Sequence, residues 1–141
     1  MEFKPWKITM NLSDIAEKIA KVAHSGETRR DGITPYHFHL EAVASKFKRE
    51  DLRAVAWLHD ILENTDTKIS KLVREGIPPK VIKAVVILTK LKSDKYMDYI
   101  ARVRKNRLAR FVKIEDIRHN YPTARFRKKK LYEKALRMLR R

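Results

Sequence analysis

A histidine and an aspartate, His59 and Asp60, stand side by side inside a mostly apolar run, residues 52–63, whose spacing predicts a helix. Burying a polar group without a hydrogen bond, or a charge without a partner, costs free energy, so this pair needs something specific to satisfy it. Two interpretations fit the pair taken alone. It is either a hydrogen-bonded core histidine beside a capping or ion-paired aspartate, or a pair of metal ligands.

Helical spacing of apolar residues continues along almost the whole chain. The first helix is predicted to begin with Asn11 or Ser13 as its N-cap, and the last to span residues 128–140. Glycine and proline interrupt the pattern in residues 26–36, which predicts a loop. Since no stretch alternates apolar and polar residues as a strand does, the sequence predicts an all-α fold.

The composition fits a single small domain. With 141 residues, of which 43% are hydrophobic, the chain can bury roughly two-thirds of its unfolded surface. We expect one compact helical bundle over residues 1–141, with its core at about 12–120 and a basic C-terminal helix at 127–141. Trp6 and Trp57 are interpreted as packing residues.

Several features of the sequence bear on the compartment. No apolar run is long enough to span a bilayer, and residues 1–6 lack the shape of a signal peptide. The chain has no Cys, so it forms no disulfide and offers no thiolate ligand. We expect no membrane partner and a cytoplasmic protein.

The net charge of +17 is concentrated near the C-terminal end of the sequence. Residues 1–100 carry 18 Lys and Arg against 14 Asp and Glu, a net charge of +4. Residues 101–141 carry 16 against 3, a net charge of +13. A solvated basic helix is one interpretation. The other is a field that attracts a polyanion, so nucleic acid is a candidate partner of the basic C-terminal region.

Four short motifs follow one another along the chain. They are Arg-Arg-Asp-Gly at 29–32, Pro-Tyr-His-Phe-His at 35–39, His-Asp-Ile-Leu-Glu-Asn at 59–64 and Lys-Ile-Glu-Asp-Ile-Arg-His-Asn at 113–120. The series resembles the HD-domain metal-dependent phosphohydrolases, and more narrowly the hydrolase domain of the RelA/SpoT alarmone enzymes and their small stand-alone relatives. Their pattern is R-[KR]-x-G, PYxxH, HDxxED and KxxDxxxN. Several spaced motifs in this order are far more specific than one His-Asp pair.

The resemblance implies a divalent metal held by His39, His59, Asp60 and Asp116. Two imidazoles and two carboxylates form a mixed nitrogen and oxygen donor set that suits such a metal. The resemblance favours Mn²⁺, and Fe²⁺, Co²⁺ and Zn²⁺ suit the same donors. The remaining histidines are interpreted as structural or as outer partners of the ligands: His24, His37 and His119.

Glu63 and Asn64 are the expected catalytic residues. Glu63 lies four positions after His59, so the two are predicted to share a face of one continuous helix, where Glu63 orients or deprotonates a water. A solvated helix residue is the other interpretation of Glu63. The alarmone hydrolases have an Asp where this chain has Asn64, and both family acids are implicated in hydrolysis, so this departure leaves the exact substrate open.

The resemblance assigns five further residues to the substrate. Arg29 and Arg30 lie where the alarmone hydrolases contact the purine base and its phosphates, and the planar guanidinium suits both contacts. Asn120 falls where the family holds the nucleoside. Tyr132 falls where a family tyrosine meets a phosphate, and a boundary aromatic is an equal interpretation. Lys113 can extend to a phosphate or to water.

These features support three alternative functions. The first is a nucleotide phosphohydrolase, with (p)ppGpp as the candidate substrate and its 3′-pyrophosphate as the group removed. The second is a nucleotide phosphatase on another phosphoester, such as a (d)NMP. The third is a basic nucleic-acid-binding protein with a vestigial site, although the chain has no helix-turn-helix, zinc-finger or RNP motif.

Overall fold

The computed structural model describes residues 10–141, so residues 1–9, with the packing predicted for Trp6, lie outside the described part. Within it, the chain forms helices joined by short loops. We number the α-helices in chain order: α1 (Leu12–Ala23), α2 (His37–Ala44), α3 (Glu50–Leu58), α4 (Ile61–Asn64), α5 (Ile69–Arg74), α6 (Pro79–Leu88), α7 (Tyr96–Arg104), α8 (Arg107–Asn120) and α9 (Phe126–Leu139). A 3₁₀ turn, Tyr121–Thr123, connects α8 to α9.

The fold class follows from this inventory. Residues 10–141 contain no β-strand, and an isolated bridge joins Thr28 to Pro35 in the loop between α1 and α2. The all-α prediction is therefore confirmed. No helix in the described part combines the length and the hydrophobicity needed to cross a bilayer.

Helix α3 lies at the centre of the bundle because its apolar residues face several helices at once. It packs against α1, α2, α6 and α8. Residues 54–58 are each at most 2% exposed, and they include Trp57, which is a core residue as predicted. The end of α3 therefore places the His-Asp pair next to the core.

Two side chains fix the start of α1. Asn11 is the N-cap: its Oδ1 accepts a hydrogen bond from the backbone N–H of Asp14, 3.0 Å away. Ser13 is buried instead, and its backbone N–H and its hydroxyl both donate to the carboxylate of Glu50 at 3.0 Å. This contact ties α1 to the first turn of α3.

The helix predicted over residues 52–63 is interrupted at the His-Asp pair. Helix α3 ends before the pair and α4 begins after it, and Asp60 has φ −106° and ψ 0°, outside the helical region. The cause lies in His59, whose Nδ1–H donates to the carbonyl oxygen of Ala56 at 2.6 Å and competes with the backbone for that acceptor. The prediction of one continuous helix through His59 and Glu63 is therefore wrong.

The second half of the chain returns to the end of α3. Gly76 has φ +85°, a left-handed conformation that glycine adopts without steric cost, and it ends the turn after α5. Pro79 occupies the first turn of α6. Helix α8 then packs against α2, α3 and α6, and α9 covers α7 and α8. The packing of α8 brings residues from late in the chain next to the His-Asp pair.

Candidate metal centre

Three buried side chains from distant parts of the sequence meet where α2, α3 and α8 pack together. His39 lies on α2, His59 directly follows α3 and Asp116 lies on α8. Their exposed fractions are 1%, 3% and 6%. One ligand atom of each lies within 4.8 Å of the other two, close enough for a single ion to bind all three.

The two imidazoles present their Nε2 atoms to the same carboxylate. Nε2 of His39 lies 2.9 Å from Oδ1 of Asp116, and Nε2 of His59 lies 3.4 Å from the same oxygen. The two rings meet edge to face with their centroids 5.4 Å apart. The structure thus brings three of the four predicted ligands to one point.

The ring of His59 is oriented as a metal ligand. The carbonyl oxygen of Ala56 accepts its Nδ1–H, so Nε2 faces the site. That Nε2 is buried and makes no well-aligned hydrogen bond within the described part of the chain, although carboxylate oxygens of Asp60 and Asp116 lie 3.2 Å and 3.4 Å away. A buried nitrogen that faces two carboxylates without such a bond calls for an explanation, and a carbonyl on the outer nitrogen is the usual support for a histidine that binds a metal. The donor set and this nitrogen together fit a divalent metal.

His39 also has an outer partner. Its Nδ1 lies 2.7 Å from Nδ1 of His119, and the two rings stack with centroids 4.9 Å apart. If Nε2 of His39 binds a metal, Nδ1 of His39 carries the ring proton and donates a hydrogen bond to Nδ1 of His119. His119 accepts this hydrogen bond only when its ring is neutral. Burial, His39 and the nearby Arg29 all lower the pKa of His119, which favours the neutral form.

Asp60 approaches from the side of His59. Its Oδ2 lies 3.2 Å from Nε2 of His59, although Asp60 is not within the 4.8 Å group formed by the other three ligands. Burial alone would raise the pKa of Asp60, but the charge of His59 lowers it to about 2. The carboxylate is therefore ionised at neutral pH and is suited to complete the ligand set.

A proton and a metal would compete for His59. Burial alone would lower the pKa of His59, but the charges of Asp60 and Asp116 raise it well above its usual value. A metal that binds Nε2 displaces this proton. Metal binding is therefore expected to weaken as the pH falls.

Tyr36 positions Asp60, a role that the sequence motifs do not reveal. Its hydroxyl donates a short hydrogen bond to Oδ2 of Asp60. Its ring stacks on the buried ring of His24 with centroids 5.0 Å apart, and His24 is hydrogen-bonded through Nδ1 to Glu27. Tyr36 is thus held by the loop that precedes α2 and holds a ligand in turn.

We expect Tyr36→Phe to weaken metal binding about 10- to 100-fold, the usual effect of losing an outer hydrogen bond to a ligand. The phenyl ring keeps its stacking on His24. Competition with a chromogenic chelator measures the affinity. Tyr121→Phe, which removes a hydroxyl bonded to Glu133, is the matched control. Equal affinities of the two variants would show that the Tyr36 hydroxyl does not support the site.

Asp116 has two further partners on its own helix. Nζ of Lys113 lies 2.9 Å from Oδ2, and Nδ2 of Asn120 lies 3.2 Å from Oδ1. Burial would raise the pKa of Asp116, but Lys113 and His59 hold it well below its usual range. The structure thus places Lys113 against a ligand, and not free to extend into solvent as the sequence allowed.

Glu63 and Asn64 lie on α4, outside the ligand cluster. Oε1 of Glu63 accepts the backbone N–H of Lys90 at 2.9 Å. Burial raises the pKa of Tyr99 to about 12, and the charge of Glu63 adds to this effect. The ring of Tyr99 in turn lies 5.3 Å from Nζ of Lys113. Asn64 is exposed at the end of α4.

A cavity of about 440 Å³ opens beside the cluster. Its walls include four of the predicted substrate residues, Arg29, Arg30, Asn120 and Tyr132, together with Tyr36. The guanidinium of Arg29 donates to Oδ1 of Asn120 at 2.8 Å, and the amide of Asn120 donates to Asp116. Hydrogen bonds therefore connect the cavity wall directly to a ligand.

Lys128 belongs to the same region, although no sequence motif identifies it. Its Nζ lies 4.6 Å from the ring centroid of Tyr96 and 5.2 Å from that of Tyr132. Burial lowers the pKa of Lys128, and the charges of Lys113 and Arg30 lower it further. Lys113, Lys128 and Arg30 thus interact electrostatically, and together they form a positive field that suits phosphate groups. The sequence signal was the spacing, because Lys128 lies one helical turn before Tyr132.

Comparison with known proteins establishes the type of fold. No protein-family profile and no curated protein sequence matches the chain. A solved structure, described as a metazoan ortholog of SpoT that hydrolyses ppGpp, superposes with a TM-score of 0.77 over 99% of this chain and 89% of that chain. The chain has the HD-type fold of that SpoT ortholog. At 18% identity the likeness concerns the fold, and it confirms the predicted HD-type helical bundle.

Proposed function

We propose that this protein is a metal-dependent phosphohydrolase that acts on a nucleotide. One observation carries the proposal: Nε2 of His39, Nε2 of His59 and the carboxylate of Asp116 converge at a buried point, and Asn120 links Asp116 to the wall of a cavity. A ligand cluster enclosed in the core would suit a structural metal. A ligand cluster that is connected by hydrogen bonds to the wall of a cavity suits chemistry on a molecule bound in that cavity.

His39, His59, Asp60 and Asp116 would hold the metal. Mn²⁺ is the leading candidate, and Fe²⁺, Co²⁺ and Zn²⁺ are the alternatives. When bound, such an ion polarises a phosphate oxygen and lowers the pKa of a water in its shell. The outer hydrogen bonds described above keep the ligands in place, because each ligand has one oxygen or nitrogen held by a neighbour.

Glu63 would orient the attacking water and take its proton. One of its oxygens accepts the backbone N–H of Lys90. Catalytic hydrogen bonds are often loose before substrate binds, so this position is compatible with the role. As the water oxygen bonds to phosphorus, the bond from phosphorus to the ribose oxygen breaks. Glu63 takes one proton from the water, and the departing ribose oxygen gains one proton to become a hydroxyl. The number of protons is therefore conserved.

The cavity residues would hold the nucleotide. Arg29 and Arg30 suit a purine face and its phosphates, because a guanidinium both stacks and forms bidentate hydrogen bonds. Asn120 and Tyr132 would contact the nucleoside and a phosphate. Lys128, with its half-buried ammonium between two tyrosine rings, would add a phosphate contact in this positive field.

Within this class (p)ppGpp is the leading substrate, with release of its 3′-pyrophosphate. A nucleotide with two pyrophosphate groups is strongly anionic, and the cations around the cavity match that charge. The order of the four motifs and the SpoT-like fold favour the same substrate. The expected products are pyrophosphate and a nucleotide with a free 3′-hydroxyl.

A nucleotide phosphatase on another phosphoester, such as a (d)NMP, is the second candidate. Asn64 favours it, because the alarmone hydrolases have an acid at this place and an amide cannot act as a base. The third alternative, a nucleic-acid-binding protein with a vestigial site, is disfavoured because all four ligand residues and their outer partners are present.

The Asn64→Asp variant separates the two enzyme candidates. If (p)ppGpp is the natural substrate, the variant should keep or raise the rate, because Asp restores the family acid. If another phosphoester is natural, a carboxylate there should repel its phosphate and lower that rate by up to about fivefold, the range of exposed charge pairs. Both rates are measured on one preparation with known metal content. No change in either rate would place Asn64 outside the reaction.

A release assay over a nucleotide panel tests the proposed function. The metal-loaded protein is incubated with (p)ppGpp, (d)NMPs and nucleoside triphosphates, and phosphate and pyrophosphate are measured separately. Pyrophosphate from (p)ppGpp alone supports the leading substrate, and phosphate from a monophosphate supports the second candidate. Absence of both products from every nucleotide, with metal bound, would contradict the hydrolase proposal.

A further inference from the structure

Helix α9 has a row of cations on the side that faces away from the substrate cavity. Arg127, Lys130, Lys134 and Arg137 are all exposed, and their spacing of three and four residues places them on one helical face. The row extends about 15 Å along the helix axis. We call these four residues the α9 stripe.

The opposite side of α9 is occupied by the fold. Tyr132, Ala135 and Leu139 are 8%, 0% and 1% exposed, and Lys128 on this side stacks on Tyr132. The α9 stripe is therefore no part of the proposed substrate site.

The stripe has little internal charge compensation. Glu133 is the single acidic residue of α9, and its carboxylate lies 3.7 Å from Nζ of Lys130. Successive members of the stripe are like-charge neighbours at helical spacing, an arrangement that destabilises a helix by itself. A partner with a continuous negative charge would offset this repulsion.

We infer that the α9 stripe binds the phosphate backbone of a nucleic acid without regard to sequence. A duplex carries one negative charge about every 1.7 Å along its axis, so a straight row of cations meets phosphates in any register. Helix α7, which packs beside α9, has the exposed cation Arg104, whereas its Arg102 is ion-paired with Asp94 at 3.0 Å.

An anionic membrane surface fits the stripe less well. A helix that lies on a membrane inserts its apolar face among the lipids. In α9 that face is already buried against the protein, as the exposed fractions of Ala135 and Leu139 show. The positive charges of the stripe remain exposed. A phosphate backbone can bind through these charges alone, without an apolar face.

Binding of a fluorescent 20-base-pair duplex DNA at several salt concentrations tests this inference. The wild-type protein should bind, and the log of its affinity should fall linearly with the log of the salt concentration. The variant Lys130→Gln, Lys134→Gln, Arg137→Gln should have a slope shallower by about 2.7, because each lost phosphate contact reduces it by about 0.9. A second variant, Arg127→Gln with Lys134→Gln, should reduce it by about 1.8.

The matched control replaces three exposed lysines elsewhere, Lys48, Lys68 and Lys83, by Gln. It has the same net charge as the triple stripe variant, so it should bind like the wild type if position matters. Circular dichroism and metal-dependent hydrolysis should be unchanged in all variants. Equal losses in stripe and control variants would overturn the inference, as would no duplex binding at low salt. Tighter binding to phosphatidylserine vesicles than to the duplex would overturn it as well.

Discussion

Replacing Asp60 with Asn is expected to abolish metal retention and to reduce turnover by at least about 10³-fold. The variant removes a ligand charge without removing volume, and the hydroxyl of Tyr36 can still donate to the new amide oxygen. The metal stabilises the charge that develops in the reaction by several kcal/mol, and each 1.36 kcal/mol is a tenfold change in rate. Metal content after gel filtration and nucleotide turnover are the two measurements.

The control for this variant is Asp98→Asn, because Asp98 is exposed on α7 and the substitution changes the net charge by the same amount. Metal content and turnover of the control should equal those of the wild type. Helix content by circular dichroism should be the same in both variants. Full metal occupancy in Asp60→Asn would remove Asp60 from the ligand set.

The Glu63→Gln variant should retain the metal and lose about 10²- to 10⁴-fold in turnover, the usual effect of removing a general base. The amide oxygen of Gln can still accept the backbone N–H of Lys90, so the link between α4 and the loop after α6 is preserved. The loss would then reflect the missing carboxylate and not a displaced helix.

Glu41→Gln is the matched control, because Glu41 is exposed on α2. Comparing kcat of the two variants at saturating substrate and metal separates catalysis from binding. Near-normal turnover of Glu63→Gln would mean that Glu63 serves only to hold Lys90. In that case the proton would leave by another route.

Local signals in the sequence predicted the helical class and the N-cap of α1. Asn11 caps α1 as predicted, and Gly76 after α5 and Pro79 in the first turn of α6 follow the same kind of local rule. These outcomes depend on each residue's own conformational preferences. They can therefore be read without knowledge of the rest of the fold.

The interruption of the helix at His59 could not be read from spacing. Apolar periodicity continues through residues 52–63, but the ring of His59 donates to the carbonyl of Ala56, and α3 ends at Leu58, directly before the pair. A side chain that competes for a backbone acceptor leaves no trace in the hydrophobic pattern. The prediction of one continuous helix from residue 52 to residue 63 was wrong for this reason.

Motifs identified ligand candidates, and His119 was interpreted as structural or as an outer partner, but the roles of Tyr36 and Lys128 were not predicted. Tyr36 contacts Asp60 across 24 residues of sequence, a separation that no local rule covers. The contact of Lys128 with Tyr132 could have been predicted from the sequence, because Lys128 precedes Tyr132 by one helical turn. Tertiary packing decided which polar residues support the site and which merely lie near it.

Adding Mn²⁺ in small steps to metal-free protein, with (p)ppGpp in excess, tests the central claim most directly. Pyrophosphate release should be absent without metal, rise in proportion to Mn²⁺ up to one equivalent per chain and then stay constant. The Asp60→Asn variant should release none at any of these steps. Pyrophosphate release that persists in the presence of a strong chelator, or no release at full metal occupancy, would contradict the account.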